Sequence, residues 1–538
     1  MMSNEQDLVV PRLVSTAVSR RGFIRVGGAI VTATAGAGLF AACSSSSGPG
    51  GDSAAVGAPV RGGTMRFGCK GGASTDTLDA HNYLTGVDGP RLSALYDPLV
   101  RMDEKGQPKM ALAESIEPNA DGTEWTVRIR EGVQFHNGKT LDANDVLFSF
   151  RRILENKFPG VTLLGPLNPG ASRAVDPRTV VLKFDKPYAI LPQALSCHWF
   201  LYIVPVGYDP AKPVGTGPFT LVSFTPGSQS EMKRFESYWD NPKPYLDELV
   251  ILDISDETSQ LNALLSGQVN AVNLLSASSL AALQGAPTAK LIASEKTGGY
   301  IPFTMRVDQA PYSDVRVRTA LKLVIDRPAM LKGVFAGRGE IGNDIFGRYD
   351  PAYDPTLMPQ RQQDLGQAKS LLKAAGYEDL AVELIPYPEG AGTLQAAELF
   401  ATQAAGAGVR VKVTPQPATQ YYANSYATAP FSQDYWGYYP YLLAVSQSTL
   451  PGAPFNTTHF DLPEYSQLFE QATSTLDESL RTEIQRDMMK IDYDQGGLAL
   501  PSFFPVIDAV ASNVQGVEPT VTAFPLRTYQ FQDFWIQD

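Results

Sequence analysis

The alternation of apolar and polar positions marks the first folded element at Arg61–Gly68, a glycine turn leading into a strand. Trp125–Arg130 alternates strictly, which is the pattern of a half-buried strand. The period then lengthens. Asp142 reads as an N-cap, Asp145 suits the positive end of the helix, and Val146, Phe150 and Ile153 follow at helical spacing. The same period predicts a helix over 314–325, with Val317, Ala320, Leu321 and Val324 on one face and Pro328 limiting its extension. Another spans 364–375, capped by Asp364 and stopped by Gly376. Residues 464–491 read as one long or two short amphipathic helices. Strands and helices mix throughout without internal repeats, so the class is α/β or α+β.

The N-terminus has a different pattern. Ser19-Arg20-Arg21-Gly22-Phe23-Ile24-Arg25 matches the twin-arginine (Tat) export signal, and a weakly hydrophobic, Gly/Ala-rich stretch from Val26 to Ala42 follows. It ends in Leu39-Phe40-Ala41-Ala42-Cys43, which resembles a lipobox, with Phe40 where the pattern has Leu, Val or Ile. The expected lipoprotein signal peptide is 1–42, with Cys43 lipidated and 43–60 a Ser/Gly tether. The expected place of work is the outer face of the cytoplasmic membrane, in the periplasm or cell envelope. Contact with the membrane is through the lipid anchor alone.

At 538 residues the chain is long enough for two or three domains, and 43% hydrophobic with 19% charged residues is a globular composition. A net charge of -12 argues against nucleic acid as a partner. The four histidines (His81, His136, His198, His459) share no metal-ligand spacing, so neither a metal nor a cofactor is expected. Cys69 and Cys197 would remain beside a lipidated Cys43. In an exported protein such a pair is either a disulfide or two buried free thiols. No Gly-x-Ser-x-Gly elbow or His-Glu-x-x-His motif supports a hydrolase, although paired glycosidase carboxylates leave no spacing signature.

A series of motifs runs in order from about Gly62 to about Gly516: Gly62-Gly63-Thr64, Tyr96-Asp97-Pro98-Leu99, Asp121-Gly122-Thr123-Glu124-Trp125, Phe135-His136-Asn137-Gly138, Gly215-Thr216-Gly217-Pro218-Phe219 and Leu264-Leu265-Ser266-Gly267-Gln268. In these the chain resembles bacterial extracellular solute-binding proteins of family 5, the dipeptide, oligopeptide and nickel-binding subunits of ABC transporters. The resemblance implies a two-lobe periplasmic-binding-protein fold (class II, cluster C type) with the ligand in the cleft between lobes. Lobe I would comprise 60–305 plus 499–538, with an extra subdomain at about 97–185, and lobe II 306–498. It also implies a non-enzymatic, monomeric receptor for a small molecule or short peptide, working with ABC permease subunits and their ATPases. An oligosaccharide or other metabolite is the alternative ligand, and delivery to a sensor the alternative destination.

Nine aromatics between Tyr421 and Tyr441 make the best local site signal, since Tyr and Trp offer rigid contact area with a polar handle. The candidates are Tyr435, Trp436, Gly437, Tyr438 and Tyr439. Peptide-binding relatives carry an acidic residue after the tryptophan to pair with the peptide ammonium, and this chain has none there. Asp434 precedes the tryptophan, and alternation turns it away from that residue's neighbours. The second candidate wall is the loop Gly71–Tyr83, with Thr75, Asp76, Thr77 and Tyr83, and the third is Pro454–His459, with His459. Isolated histidines argue against nickel.

Overall fold

In the computed structural model, which describes residues 57–82, 85–388, 390 and 392–537, the first predicted strand runs Thr64–Cys69. The signal peptide, Cys43, most of the tether and Tyr83 lie outside the described residues, all of which fall in the compact unit Val56–Asp538.

Thr64–Cys69 lies at the middle of a seven-stranded mixed sheet, in the spatial order 289–294, 506–511, 271–272, 64–69, 248–253, 229–234, 219–225. It pairs in parallel with Glu248–Asp253, with Thr64 opposite Glu248 and Cys69 opposite Asp253. Both faces of the sheet are covered. Met65, Phe67, Leu249, Ile251 and Val510 pack with Phe531 and Phe534 on one side. On the other, Val272, Ile507 and Ala509 meet Leu261 and Leu264 of the helix Glu257–Leu265.

The alternating segment forms the strand Glu124–Ile129, with Trp125, Val127 and Ile129 buried. It belongs to a four-stranded antiparallel sheet with 113–118, 179–184 and 167–176. The helix Ala143–Glu155 follows with a full capping box, Asp142 and Asp145 each accepting from the other's backbone N–H, and buries Val146, Phe150 and Ile153.

A smaller sheet, 431–433, 303–305 and 498–499, is packed by the helices Val315–Leu323, Leu365–Ala375 and Thr393–Ala405. The 464–491 pattern resolves into two helices, Pro463–Ser474 and Glu478–Gln495. Asp477 caps the second by accepting from Leu480 N, and the Arg481 guanidinium donates to the Thr475 carbonyl at 2.8 Å, bracing the connection.

The chain leaves the large sheet at Ser294, enters the small one at Phe303, and returns from Leu498–Ala499 to Val506. The two crossings lie side by side. Phe504 N donates to Gly299 O at 3.0 Å and Thr297 Oγ1 to Phe504 O at 2.5 Å. Two lobes joined by a short paired connection have the anatomy of a hinge, in which a few residues absorb the change in backbone angles.

Candidate functional site

The aromatic segment 434–440 leaves the strand Phe431–Gln433 and runs along the first crossing. Tyr300 N donates to Trp436 O at 2.9 Å, Trp436 N to Tyr300 O at 3.0 Å, and Asp434 N to Pro302 O at 3.2 Å. Tyr438 N reaches the Thr522 carbonyl at 3.1 Å. The segment is therefore fastened both to the hinge and to the C-terminal stretch that packs on the large sheet.

Each side chain then has a defined seat. The ring of Tyr435 is sandwiched between Tyr387 (5.7 Å, 17°) and Phe504 (4.9 Å, 21°). Trp436 lies parallel to Tyr300 at 6.5 Å and meets Phe455 and Tyr439 edge-on. At Gly437 an added Cβ would come within 3.0 Å of the Phe524 ring, so a larger residue would push Phe524 aside. The Tyr438 ring fills a slot between Gly106 and Gly298, where added Cβ atoms would come within 2.5 and 2.4 Å of it. Tyr439 shares a narrow apolar slot with Met102, Trp199 and Phe524.

Asp434 is buried and turned toward Trp436. One carboxylate oxygen accepts from Tyr435 N at 2.8 Å and the other from the Trp436 indole N–H at 2.9 Å. Burial pushes its pKa up to about 6, against those hydrogen bonds. Its carboxylate is spent on orienting the tryptophan. Asp508, on the returning strand, is also buried and accepts from Leu274 N at 3.1 Å and Leu526 N at 2.6 Å. Burial pushes it up to about 7, and no ion pair among the described residues compensates it.

The other predicted residues are placed differently. Asp76 directs its carboxylate inward, taking Arg91 at 2.7 Å, Ala73 N at 2.8 Å, Thr85 Oγ1 at 3.0 Å and Gly227 N at 3.1 Å. Thr77 is half-buried, its N–H donating to Asp88 and its hydroxyl accepting from Asp79 N. Thr75 is exposed. The loop is thus braced on the core beneath it, at the same sheet edge as the hinge. His459 has a left-handed backbone (φ 53) and bonds the Ala427 carbonyl through Nε2 at 2.7 Å, with Arg306 and Asp308 at its other nitrogen. Its loop meets the aromatic segment through Phe455 instead.

Of the two alternatives for Cys69 and Cys197, the possible disulfide is not formed: both are free, buried thiols in separate hydrophobic clusters. Cys69, at the end of the central strand of the large sheet, lies beside Asn273, Cys197 lies at the apolar slot, and burial raises both pKa values. Among the described residues no cluster of His, Cys, Asp and Glu could hold a metal.

Trp199, Tyr300, Tyr387, Phe504 and Phe524 complete the aromatic walls, and sequence reasoning missed all five. They come from five separate segments, and none stands in an aromatic-rich run comparable to 421–441.

Residues 107–453 match the family description "Bacterial extracellular solute-binding proteins, family 5 Middle". The glutathione-binding protein GsiB of Escherichia coli O1:K1 is 25% identical over 452 residues, covering 79% of this chain and 86% of the relative. Among solved structures, the periplasmic binding protein AgaA of A. tumefaciens R10, in complex with agropinic acid, superposes with a TM-score of 0.75 at 24% identity. The match covers 88% of this chain and 99% of AgaA. Helicobacter pylori DppA, in complex with the peptide STSA, gives a TM-score of 0.76 at 20% identity over 89% of this chain and 99% of its own. With the two-lobe fold, the hinge and a family match over more than half its length, the chain belongs to the family 5 extracellular solute-binding proteins, which capture substrates for ABC importers.

Proposed function

We propose that this receptor closes on a small amide- or hydroxyl-bearing solute at the aromatic segment, with Tyr435, Trp436, Gly437, Tyr438 and Tyr439 forming one wall. It performs no chemistry on the solute. The lobe boundaries expected at 305/306 and 498/499 move by a few residues: lobe I runs to Ser294 and resumes at Val506, lobe II runs from Phe303 to Ala499, and the two crossings at 295–302 and 500–505 are the hinge. The mature protein is held at the outer membrane face by lipid on Cys43, exported through the twin-arginine signal, and acts as a monomer.

The observation that carries this reading is the double attachment of 434–440. Trp436 is hydrogen-bonded to the first crossing and Tyr438 to Thr522 beyond the second, so a change of lobe angle must move these rings. A solute touching both sides favours the closed form, and the equilibrium shifts by its differential affinity for the two forms. The closed form docks on the permease and the ATPases drive release.

Relatives bind glutathione, agropinic acid and a peptide, so a peptide-like solute is the family default. A non-peptide metabolite is favoured by one feature: the carboxylate nearest the aromatic wall, Asp434, is occupied by Tyr435 N and the Trp436 indole. Mass spectrometry of the solute that co-purifies with the receptor tests both. A peptide with a free amine would overturn the non-peptide reading, and an empty receptor that no library compound closes, by tryptophan fluorescence and X-ray scattering, would overturn solute capture itself.

A further inference from the structure

The returning strand Val506–Ala511 is apolar except at Asp508. Strand alternation puts Asp508 on the same face as Val510, toward the C-terminal stretch, where it is 2% exposed. A buried carboxylate in an apolar strand persists only where its oxygens have partners. Here the partners are two backbone N–H groups, Leu274 at 3.1 Å on one oxygen and Leu526 at 2.6 Å on the other. Both residues have left-handed backbone, with φ 53 at Leu274 and φ 45 at Leu526. Leu526 opens a run of four such residues, followed by Arg527, Thr528 and Tyr529 at φ 53, 59 and 56. Left-handed backbone is unfavourable for residues with a Cβ, and a whole run of it persists only where surrounding contacts impose it. The Arg527 side chain does not answer the carboxylate: its guanidinium goes to the Gly516 carbonyl at 3.3 Å and to Asp533 at 3.4 Å.

The turn is tied in its own right to the aromatic segment. Thr528 and Thr522 share a hydroxyl hydrogen bond at 2.8 Å. Residues 520–524 then form a strap along the hinge. Thr520 N donates to Ser294 Oγ at 3.0 Å, Gly298 N to Val521 O at 2.8 Å and Tyr438 N to Thr522 O at 3.1 Å. The Phe524 ring packs on Trp199 at 4.7 Å and takes up the space beside Gly437. Contacts therefore run unbroken from Asp508 through the left-handed turn and the strap to Gly437 and Tyr438.

We propose that Asp508 is a positioning residue for solute capture: by accepting from Leu526 and Leu274 it holds the turn 526–529, which seats the strap 520–524 and with it Gly437 and Tyr438. The proposal rests on the reading of 434–440 as the wall that meets the solute.

Hydrogen exchange of the mature receptor with no solute added, followed by mass spectrometry on peptides covering 434–440, 520–529 and the central strand 64–69, tests it. Asp508→Leu removes both acceptors. It should speed exchange in 520–529 and in 434–440 about three- to tenfold, the loss of one hydrogen bond in each, and leave 64–69 at the wild-type rate. Asp508→Asn keeps one acceptor oxygen and should hold both segments near the wild-type rate, a rescue that a space-filling role would not give. Thr528→Val cuts the turn from the strap and leaves Asp508 in place. It should speed 434–440 as well, and it decides the coupling should Asp508→Leu not fold. A wild-type rate at 434–440 in either the Leu or the Val variant would overturn the proposal, and so would Asp508→Asn exchanging as fast as Asp508→Leu. Exchange at 64–69 sped as much as in the strap would overturn it too, since Asp508 would then serve the sheet at large. Solute capture is decided separately by the co-purified solute, and a receptor that captures nothing would leave the seating of Gly437 and Tyr438 standing.

Discussion

At the scale of single residues, position in the fold decides what a side chain is for. Asp76 was a candidate ligand contact because it follows the first strand, yet it is half of a buried network in which the Arg91 guanidinium meets Asp76 at 2.7 Å and Asp253 at 2.6 Å. Removing the cation would strand buried carboxylates, so Arg91→Leu should cost about 3–5 kcal/mol, read as a lowered urea midpoint. An unchanged midpoint would show that the network carries no stability. Gly106 acts through its missing Cβ. Its φ of +78 and the Tyr438 ring at 2.5 Å from an added Cβ leave no room for a side chain. Gly106→Ala should displace Tyr438 and hold the lobes apart, giving a larger radius of gyration by X-ray scattering with unchanged far-ultraviolet circular dichroism. Strand alternation at Trp125–Ile129 and the Asp142–Asp145 cap were legible in the sequence because both depend on neighbours a few residues away. The roles of Asp76 and His459 were not, since Arg91, Gly227, Ala427 and Arg306 become their neighbours only on folding.

Between elements, buried carboxylates do the tying. Asp492, on the helix Glu478–Gln495, accepts at one oxygen from the hydroxyls of Tyr441 (2.5 Å) and Tyr465 (3.1 Å), which lie on two other helices. Burial pushes it up to about 7, far above its usual range. The sign follows: the folded protein holds this proton where the unfolded chain has lost it. The charge therefore costs stability in full above about pH 7, and the cost disappears as pH falls toward 4. Asp492→Asn keeps an oxygen for both phenols without the charge. It should stabilise the protein by on the order of 2 kcal/mol near pH 8.5 and by little near pH 4.5, measured by thermal melts at both pH values. A stabilisation independent of pH would refute the assignment. The helices themselves followed from apolar periodicity, but the break between Ser474 and Glu478 rests on Asp477 as a cap and on Arg481 reaching back to Thr475.

On the scale of the whole molecule, the proposed function depends on lobes that move and on a lipid that holds the receptor. Trp436 and Trp199 both lie at the aromatic walls, so a bound solute should change intrinsic fluorescence and shrink the radius of gyration together. Fluorescence changes without compaction would mean binding without closure. Cys43→Ser should release the receptor from the membrane fraction into the soluble fraction, and persistence on the membrane would rule out lipid as the anchor.

Local chemistry in the sequence determined the strands and helices, the candidate export signal, the family and the aromatic segment, because period, caps and motif order need no long-range information. Tertiary structure alone decided that Cys69 and Cys197 sit in separate cores and that Gly106 and Gly298 close on the ring of Tyr438. Those residues lie tens to hundreds of positions apart, and only burial of their shared surfaces brings them together.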